Sequence, residues 1–341
     1  MRTPAIRLTR YTHIPVPHFV LAALFIASIV AVTPHAHAQR FPSDQVYLPA
    51  VGYLPGATTF ATRVIITNAS GDPVSVTSVY APANTPNPVR IRGDVLHLRP
   101  YEVRPIDDFL RDVLHVASGF GMVMFNACRE GRDCSVQFPE IDPVGNPNNR
   151  PIYVKSRVYS YSTSTSGPTL GQELSGVSWQ DAAEAAWMAS TLTGIRVGER
   201  HRANIGLANG SDRNPITIAV SLYDGADGGL RDQRTLTLTP FQSIQPNILD
   251  LFPKLAAWSR LNRGRAVTNA VVVVTQAAGA PTTEPAAIIT YASVVDNLSG
   301  DAETIEPNVA PIPLSMAAPP VVPMASAMGV VAASHVAFHK D

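Results

Sequence analysis

The chain has 341 residues, 45% of them hydrophobic, and its 26 basic residues balance 26 acidic ones. A balanced charge argues against a nucleic-acid-binding protein, which would carry a basic patch and a high isoelectric point. This length and this apolar content suit two domains, each with a hydrophobic core of its own.

The N-terminus has the pattern of a secretory signal peptide. Arginines at positions 2, 7 and 10 precede a short apolar run, Val20 to Val32, and Ala36-His37-Ala38 follows it. A basic start, a short apolar segment and an Ala-x-Ala site predict cleavage after Ala38. The run is shorter than the roughly 20 residues that span a bilayer, which argues against an uncleaved anchor. We therefore expect residues 1–38 to be removed and the mature chain to be secreted, periplasmic or at the cell surface.

Two parts of the chain resemble each other in sequence. The matching pairs are Phe60–Asn68 with His201–Asn209, Asp72–Tyr80 with Asn214–Tyr223, Leu98–Glu102 with Leu238–Gln242, and Tyr159–Ser162 with Ile289–Ser293. A repeat of about 130 residues has the size of a whole domain and is far longer than a solenoid unit. The sequence therefore predicts a duplicated β-domain.

The first repeat, residues 46–168, is expected to consist mainly of strands. Runs rich in β-branched residues between Gly, Asp and Pro turns favour strands. The predicted strands are Val64–Thr67, Val74–Tyr80, Val95–Leu98, Gly121–Phe125 and Val154–Ser162. Asp107–Val116 changes to a helical spacing of apolar residues and predicts a short helix. Residues 39–45 are expected to form a polar leader, and Pro139–Pro151 a long loop.

The second repeat, residues 187–306, is expected to follow the same plan. Its predicted strands are Asn204–Ala208, Ile216–Tyr223, Thr235–Leu238, Ala270–Gln276 and Ala287–Ser293, with Asn247–Phe252 in the place of the helix. Between the repeats, residues 169–186 predict a linker with a helix after Ser178, because a Ser-x-x-Asp start precedes good helix formers. Trp179 and Trp187 are candidates for burial between the domains. The Ala- and Pro-rich residues 307–341 predict a flexible tail.

The spacing of strands and turns indicates an all-β fold of two tandem immunoglobulin-like antiparallel β-sandwich domains, each with a short helix. Residues 67–77 resemble the strand-turn-strand segment of bacterial extracellular immunoglobulin-like and adhesion-type β-sandwich repeats. Residues 291–301 resemble the closing segment of secreted bacterial proteins built from such pairs. The resemblance covers most of residues 46–306 and implies a surface or secreted role in binding or scaffolding. It transfers no catalytic residue.

Cys128 and Cys134 are the only cysteines, and both lie in the part expected to be exported. Thiols oxidise outside the cytosol, so the two are predicted to form a disulfide. Metal binding would need further ligands nearby, and a redox pair is the weaker alternative.

Two groups of residues are candidate binding sites. Tyr159 and Tyr161 alternate on the last strand of the first repeat, and tyrosines on one sheet face can stack on sugars or contact a partner peptide. The alternative is that they fill a half-buried sheet face. Asp224, Asp227 and Asp232 are candidate ligands of a calcium ion, since hard cations prefer oxygen ligands around a tight turn. The alternative there is an ordinary Asp-Gly hairpin.

No catalytic residue is predicted, because the sequence contains neither Gly-x-Ser-x-Gly nor His-Glu-x-x-His. His115 with Asp112 is the best available acid–base pair. Arg92-Gly93-Asp94 resembles an adhesion tripeptide but also suits a turn between strands. Asn68, Asn209 and Asn297 lie in glycosylation sequons in form, and the first two are better explained by turns.

The sequence predicts an exported, non-enzymatic structural or binding protein whose partner is a protein or a polysaccharide. It predicts no nucleic-acid partner, and no cofactor apart from the calcium ion considered above. A secreted hydrolase with a site between the two domains is the alternative, since clefts between domains commonly hold ligands. A passive spacer is the third hypothesis.

Overall fold

A computed structural model describes residues 42–131, 134, 149–162, 171–184, 188–255, 257, 267–277 and 287–312. Strands make up nearly all of the regular structure in these ranges, and the helices among them are short. The predicted all-β fold class is therefore confirmed. The signal peptide, most of the loop 139–151, Trp187 and the chain after residue 312 lie outside the described residues.

In the described residues, the first half of the chain forms ten strands and one helical turn. They are β1 (Gln45–Tyr53), β2 (Thr58–Asn68), β3 (Val74–Pro82), β4 (Ile91–Arg92), β5 (Leu96–Leu98), β6 (Val103–Ile106), α1 (Phe109–Asp112), β7 (Gly119–Arg129), β8 (Ile152–Ser162), β9 (Gly171–Ser175) and β10 (Val177–Ser178). Strands β6-β2-β8-β9 form sheet A, and β10-β1-β7-β3-β4 form sheet B, where β5 also pairs with β3. All these pairs are antiparallel.

In the described residues, the second half has strands β11 to β20 and a helical turn, α2. They are β11 (Ala183–Glu184), β12 (Met188–Val197), β13 (His201–Asn209), β14 (Ile216–Asp224), β15 (Leu230–Leu238), β16 (Ser243–Ile244), α2 (Ile248–Leu251), β17 (Val267–Gln276), β18 (Ala287–Asp296), β19 (Ala302–Ile305) and β20 (Asn308–Pro311). Strands β11-β18-β13-β16 form sheet C, where β19 also pairs with β18, and β15-β14-β17-β12-β20 form sheet D.

Each pair of sheets encloses a hydrophobic core. Alternate residues of a strand point to opposite faces, so one face of each sheet can be apolar and buried. Sheets A and B bury Ile66, Val76 and Phe125 in one core, together with Phe109 and Leu110 of α1. Sheets C and D bury an equivalent core that includes Ile205, Val220 and Val272 and the apolar side of α2. The chain thus forms two β-sandwiches.

The two sandwiches have matching strand orders. Sheet A runs β6-β2-β8-β9, and sheet C runs β16-β13-β18-β19. Each strand of sheet A therefore has a counterpart at the same position in sheet C. Sheet B runs β10-β1-β7-β3, and sheet D runs β20-β12-β17-β14. At one edge of sheet B, β1 pairs with β10, and at the matching edge of sheet D, β12 pairs with β20.

The register corrects one of the sequence alignments. Asn68 is opposite Ile152, and Asn209, its match in the second repeat, is opposite Ile288. Ile289 therefore corresponds to Tyr153 and not to Tyr159, so the alignment of the last strand was wrong by six residues. A shift by an even number keeps the same alternation of faces, which is why the sequence pattern alone did not reveal the error.

Asn68 and Asn209 close the same turn in the two sandwiches. Both are fully buried. The amide group of Asn68 donates to the carbonyls of Asp72 and Arg99, at 2.7 and 2.9 Å, and its oxygen accepts the Ser70 amide. Asn209 makes the corresponding bonds to the carbonyls of Asn214, Leu238 and Thr239 and accepts the Ser211 amide. The turn explanation of these two sequons is therefore correct.

A third apolar cluster joins the two sandwiches, and we call it the middle cluster. It lies between the outer face of sheet B and the outer face of sheet C. Its buried members are Tyr47, Val79, Ala81, Met122, Met124, Ala182, Ala208, Phe241, Ala287 and Ile289, and Val177 and Trp179 pack against them. Trp179 thus packs between the two sandwiches, as expected, but it is only partly buried.

Polar contacts surround the middle cluster. The guanidinium of Arg90 lies 4.6 Å from the centre of the Phe241 ring and donates to the carbonyl of Asp212 at 2.6 Å. The amide of Asn84 donates to the Ser243 carbonyl at 2.7 Å. The Tyr47 hydroxyl donates to the Gly210 carbonyl at 3.3 Å. Apolar packing and these hydrogen bonds together fix one sandwich against the other.

Four expectations about local structure need correction. The linker helix after Ser178 is absent from the described residues 171–184, which form strands β9, β10 and β11 around a turn. The helix expected at Asp107–Val116 is only α1, because His115 takes a left-handed conformation, φ 55°, soon after it. The predicted tail begins with strand β20, which pairs with β12. Likewise Gln45, placed in the leader, begins β1.

Candidate functional site

Tyr159 and Tyr161 lie side by side on the outer face of sheet A. Their rings stack with centres 5.8 Å apart and planes 28° from parallel. Both hydroxyls donate to one carboxylate, that of Asp108: Tyr159 to Oδ1 at 3.0 Å and Tyr161 to Oδ2 at 3.5 Å. Each tyrosine keeps part of its side chain exposed, so the pair forms a fixed aromatic surface.

Asp108 is held at this position by the chain's entry into α1. Its backbone is left-handed, φ 48°, and its side chain is almost fully buried. Arg111, one turn later, places Nη2 at 2.9 Å from Asp108 Oδ2 and Nε at 2.8 Å from Asp112 Oδ1. The Arg111 guanidinium also lies 5.5 Å from the centre of the Tyr53 ring. We call Tyr53, Asp108, Arg111, Tyr159 and Tyr161 the tyrosine cluster.

Burial and charge favour the protonated hydroxyls in this cluster. Burial, followed by the hydrogen bond to Asp108, raises the pKa of Tyr159 above its ordinary value. Burial also raises the pKa of Tyr161, and the Asp108 charge adds to the effect. The hydrogen bond to Asp112 raises the pKa of Arg111, which keeps the guanidinium charged. At neutral pH the phenols of the cluster are neutral, and the Arg111 guanidinium is paired with the Asp108 carboxylate.

Sequence reasoning found only part of this cluster. It singled out Tyr159 and Tyr161 from their alternation on one strand, and the structure brings them together. It missed Asp108 and Arg111 as partners, although both lie in the segment expected to be a helix. Asp108 is 51 residues from Tyr159, and no local pattern reports a contact over that separation.

The structure does not gather Asp224, Asp227 and Asp232 around one point. Arg231 Nη2 contacts Asp224 Oδ2 at 3.0 Å and also contacts Asp227, and each of these carboxylates accepts a backbone amide of the turn. Asp232 instead is buried and accepts the amide of Lys254 at 3.1 Å. Strands β14 and β15 pair directly, so the segment is the hairpin that was the alternative.

Within the described residues, no group of three or more His, Cys, Asp or Glu side chains could hold a metal ion. The described residues therefore give the calcium hypothesis no structural support. Hydrogen bonds from the Gly229 amide and from Arg231 lower the pKa of Asp227.

Cys128 and Cys134 form the predicted disulfide, with their Cα atoms 5.7 Å apart. Cys128 lies near the end of β7, opposite Ser75 of β3. The Thr77 hydroxyl donates to the Cys134 carbonyl at 3.1 Å, so Cys134 is held against sheet B.

The acid–base pair considered in the sequence does not form. His115 Nε2 lies 3.1 Å from Oδ2 of Asp94, while Asp112 contacts Arg111. Both His115 and Asp94 are well exposed. Asp94 belongs to the Arg-Gly-Asp tripeptide, whose Gly93 is crowded by the Ser78 and Leu114 side chains.

A small groove runs between the sandwiches, where the hydrolase hypothesis would place an active site. Its volume is about 30 Å³, and no histidine is among its described lining residues. The two carboxylates there are engaged: Glu306 accepts the Ser175 amide at 3.2 Å, and Asp181 accepts the Ser178 hydroxyl at 2.6 Å.

None of the helices in the described part of the chain is long and apolar enough to cross a membrane. Comparison of the chain with protein-family models and with curated proteins finds no match in either.

Proposed function

We propose that this is an exported, non-enzymatic binding protein and that the tyrosine cluster on the first sandwich contacts a protein partner. The observation that carries the proposal is the pair of stacked, partly exposed tyrosines whose hydroxyls share the buried Asp108 carboxylate. We further propose that the two sandwiches arose by duplication of one domain, which their strand order and their matching asparagine turns support.

The chemistry of the cluster favours a binding role. Tyrosine and arginine are the residue types that most often dominate the energy of protein interfaces. Tyr159 and Tyr161 are already fixed by Asp108, so little side-chain freedom is lost when a partner covers them. A ring with an apolar body and a fixed hydroxyl can bury area against a partner at low entropic cost. A polysaccharide is the other partner that the sequence suggests, and stacked rings also suit sugars.

Export is supported by two independent features. One is the signal-peptide pattern of residues 1–38, and the other is the Cys128–Cys134 disulfide, which persists in oxidising compartments. The resemblance to bacterial surface and secreted β-sandwich repeats points to the same location. The hydrolase hypothesis is the weaker one, because the groove between the sandwiches is small and its carboxylates are already hydrogen-bonded.

A pull-down with purified residues 39–341 tests the proposal, with one arm against an envelope extract of the host and one against insoluble polysaccharides. We expect saturable retention of a protein partner that Tyr161→Ala abolishes while the unfolding transition in urea is unchanged. The matched control is Leu298→Ala, which removes an exposed apolar side chain in the turn after β18, away from sheet A. Retention that survives Tyr161→Ala, or retention of polysaccharide alone, would contradict the proposed protein-binding surface.

A further inference from the structure

The interface inside the molecule uses two faces that the chain carries twice. Within the chain, the outer face of sheet B packs against the outer face of sheet C through the middle cluster. By strand order, sheet A corresponds to sheet C and sheet D corresponds to sheet B. The first sandwich therefore has a second face of the sheet C type, and the second sandwich has a second face of the sheet B type.

The outer face of sheet A exposes residues whose counterparts on the outer face of sheet C are buried. The register makes Tyr101, Val103 and Tyr153 the counterparts of Phe241, Ser243 and Ile289. The first three are 70%, 58% and 37% exposed, whereas their counterparts are 1%, 4% and 1% exposed. Ile65 and Thr67 lie between them and line an open depression of about 310 Å³ with Tyr153. We call Tyr101, Val103 and Tyr153 the sheet A patch.

The face of sheet D carries partly exposed counterparts of the buried middle cluster. Tyr223 is opposite Val271 in sheet D, as Ala81 is opposite Met122 in sheet B. Tyr223 is therefore the counterpart of Ala81, and Val271 is the counterpart of Met122. Val273 takes the place of Met124 in the same way. All three sheet D residues are partly exposed, while their counterparts are buried against the other sandwich.

We propose that a second copy of this chain docks its sheet D face on the sheet A patch, with the relative orientation that the two sandwiches have within one chain. We identify the partner as a second copy because sheet B already packs against sheet C within each chain, and sheets D and A are their respective counterparts. Such an interface is heterologous, since different surfaces of the two copies meet. Repeating it generates a ring if the rotation closes and a filament if it does not.

Sedimentation of the purified protein over a range of concentrations gives the first test. We expect the average mass to rise with concentration in the wild type and to stay at one copy in Tyr101→Asp, which places a charge in the patch. The matched control is Leu298→Asp, because Leu298 is also highly exposed but lies in the turn after β18, outside both faces. A wild type that remains at one copy throughout, or an association that Tyr101→Asp leaves intact, would overturn the proposal.

Cross-linking between two different variants tests the orientation. Within the chain, the loop after β3 reaches Ser243 through the Asn84 amide, and Val103 is the counterpart of Ser243. The hairpin between β14 and β15, which contains Ala226, is the counterpart of that loop. A bismaleimide should therefore join Val103→Cys to Ala226→Cys in a mixture and give no product with either variant alone. Since Cys128 and Cys134 form a disulfide, they offer no competing thiol. Products from one variant alone would indicate a symmetric dimer and contradict head-to-tail docking.

Discussion

Tyr101 and Phe241 have the same backbone conformation and opposite surroundings. Their φ angles are 56° and 55°, and each donates its amide to the carbonyl of the serine two residues after the turn asparagine, Ser70 or Ser211. Tyr101 is nevertheless 70% exposed and Phe241 is 1% exposed. The local chain sets the conformation in both sandwiches, and the neighbouring sandwich alone decides which ring is buried.

This pair offers a matched measurement of the interface. Phe241→Ala removes a ring that packs in the middle cluster and beneath Arg90, and loss of a buried phenylalanine costs about 3 kcal/mol or more. Tyr101→Ala changes an exposed ring and should alter the free energy of unfolding by less than about 0.5 kcal/mol. Unfolding in urea measures both. Equal losses in the two variants would show that Phe241 does not depend on the contact between sandwiches.

The asparagine turns should be sensitive to loss of their donors. Asn209→Asp replaces an amide group that donates to three carbonyls by a carboxylate that can only accept. We expect a loss of about 2 kcal/mol, because buried carbonyls are left without partners.

The control for the turn is Asn297→Asp. Asn297 is exposed and lies in the third sequon of the chain, and its amide donates only to the Glu199 carbonyl. This variant should remain within about 0.5 kcal/mol of wild type in the same urea titration. A stable Asn209→Asp protein would mean that the turn does not rely on the side-chain amide.

The disulfide should contribute modestly to stability. Cys128 and Cys134 are six residues apart, and closing so short a loop stabilises the fold by about 2 kcal/mol. We expect reduction, or replacement of both cysteines by serine, to lower the free energy of unfolding by that amount without loss of the fold. Reductant should have no effect on the double serine variant. A wild type that unfolds on reduction alone would refute this modest contribution.

Asp296 predicts a dependence of stability on acidic pH. Hydrogen bonds from the Leu298 amide and from Arg200 lower its pKa from 3.8 to about 2. Because the folded-state pKa is the lower one, the carboxylate stabilises the fold above about pH 4. That contribution is lost as the pH falls towards 2. The difference in stability between wild type and Asp296→Asn should shrink across this window in urea titrations. A difference that stays constant from pH 5 to about pH 2 would contradict the assignment.

The strands and turns could be read from the sequence because their signals are local. β-Branched runs predicted β2, β3, β14 and β17. The asparagine turns were also predicted, but for the wrong reason: neither Asn68 nor Asn209 is left-handed, and their side chains hold the turns by hydrogen bonds. Strand β20 was missed because Asn308–Pro311 has the Ala- and Pro-rich composition of a tail and becomes a strand only by pairing with β12.

Only part of the tyrosine cluster could be predicted from the sequence, because its other part depends on tertiary contacts. Alternation placed Tyr159 and Tyr161 on one face, but the contact with Asp108 depends on how the chain enters α1 after β6. Similarly, the carboxylates of Asp224 and Asp227 looked like ion ligands until the structure placed Arg231 between them. The contact between Tyr159 and Asp108 spans 51 residues, whereas Arg231 lies only seven and four residues from Asp224 and Asp227, so the second case was a local contact that the sequence analysis missed.

The connection between the sandwiches has a mechanical consequence. Only residues 179–182 separate β10 from β11, and Trp179 and Ala182 both pack in the middle cluster. Four residues anchored in this way leave no flexible hinge between β10 and β11. The packing of the middle cluster therefore sets the position of the second sandwich relative to the first. We therefore expect the two sandwiches to move together as one body, with a constant distance between their outer sheets A and D.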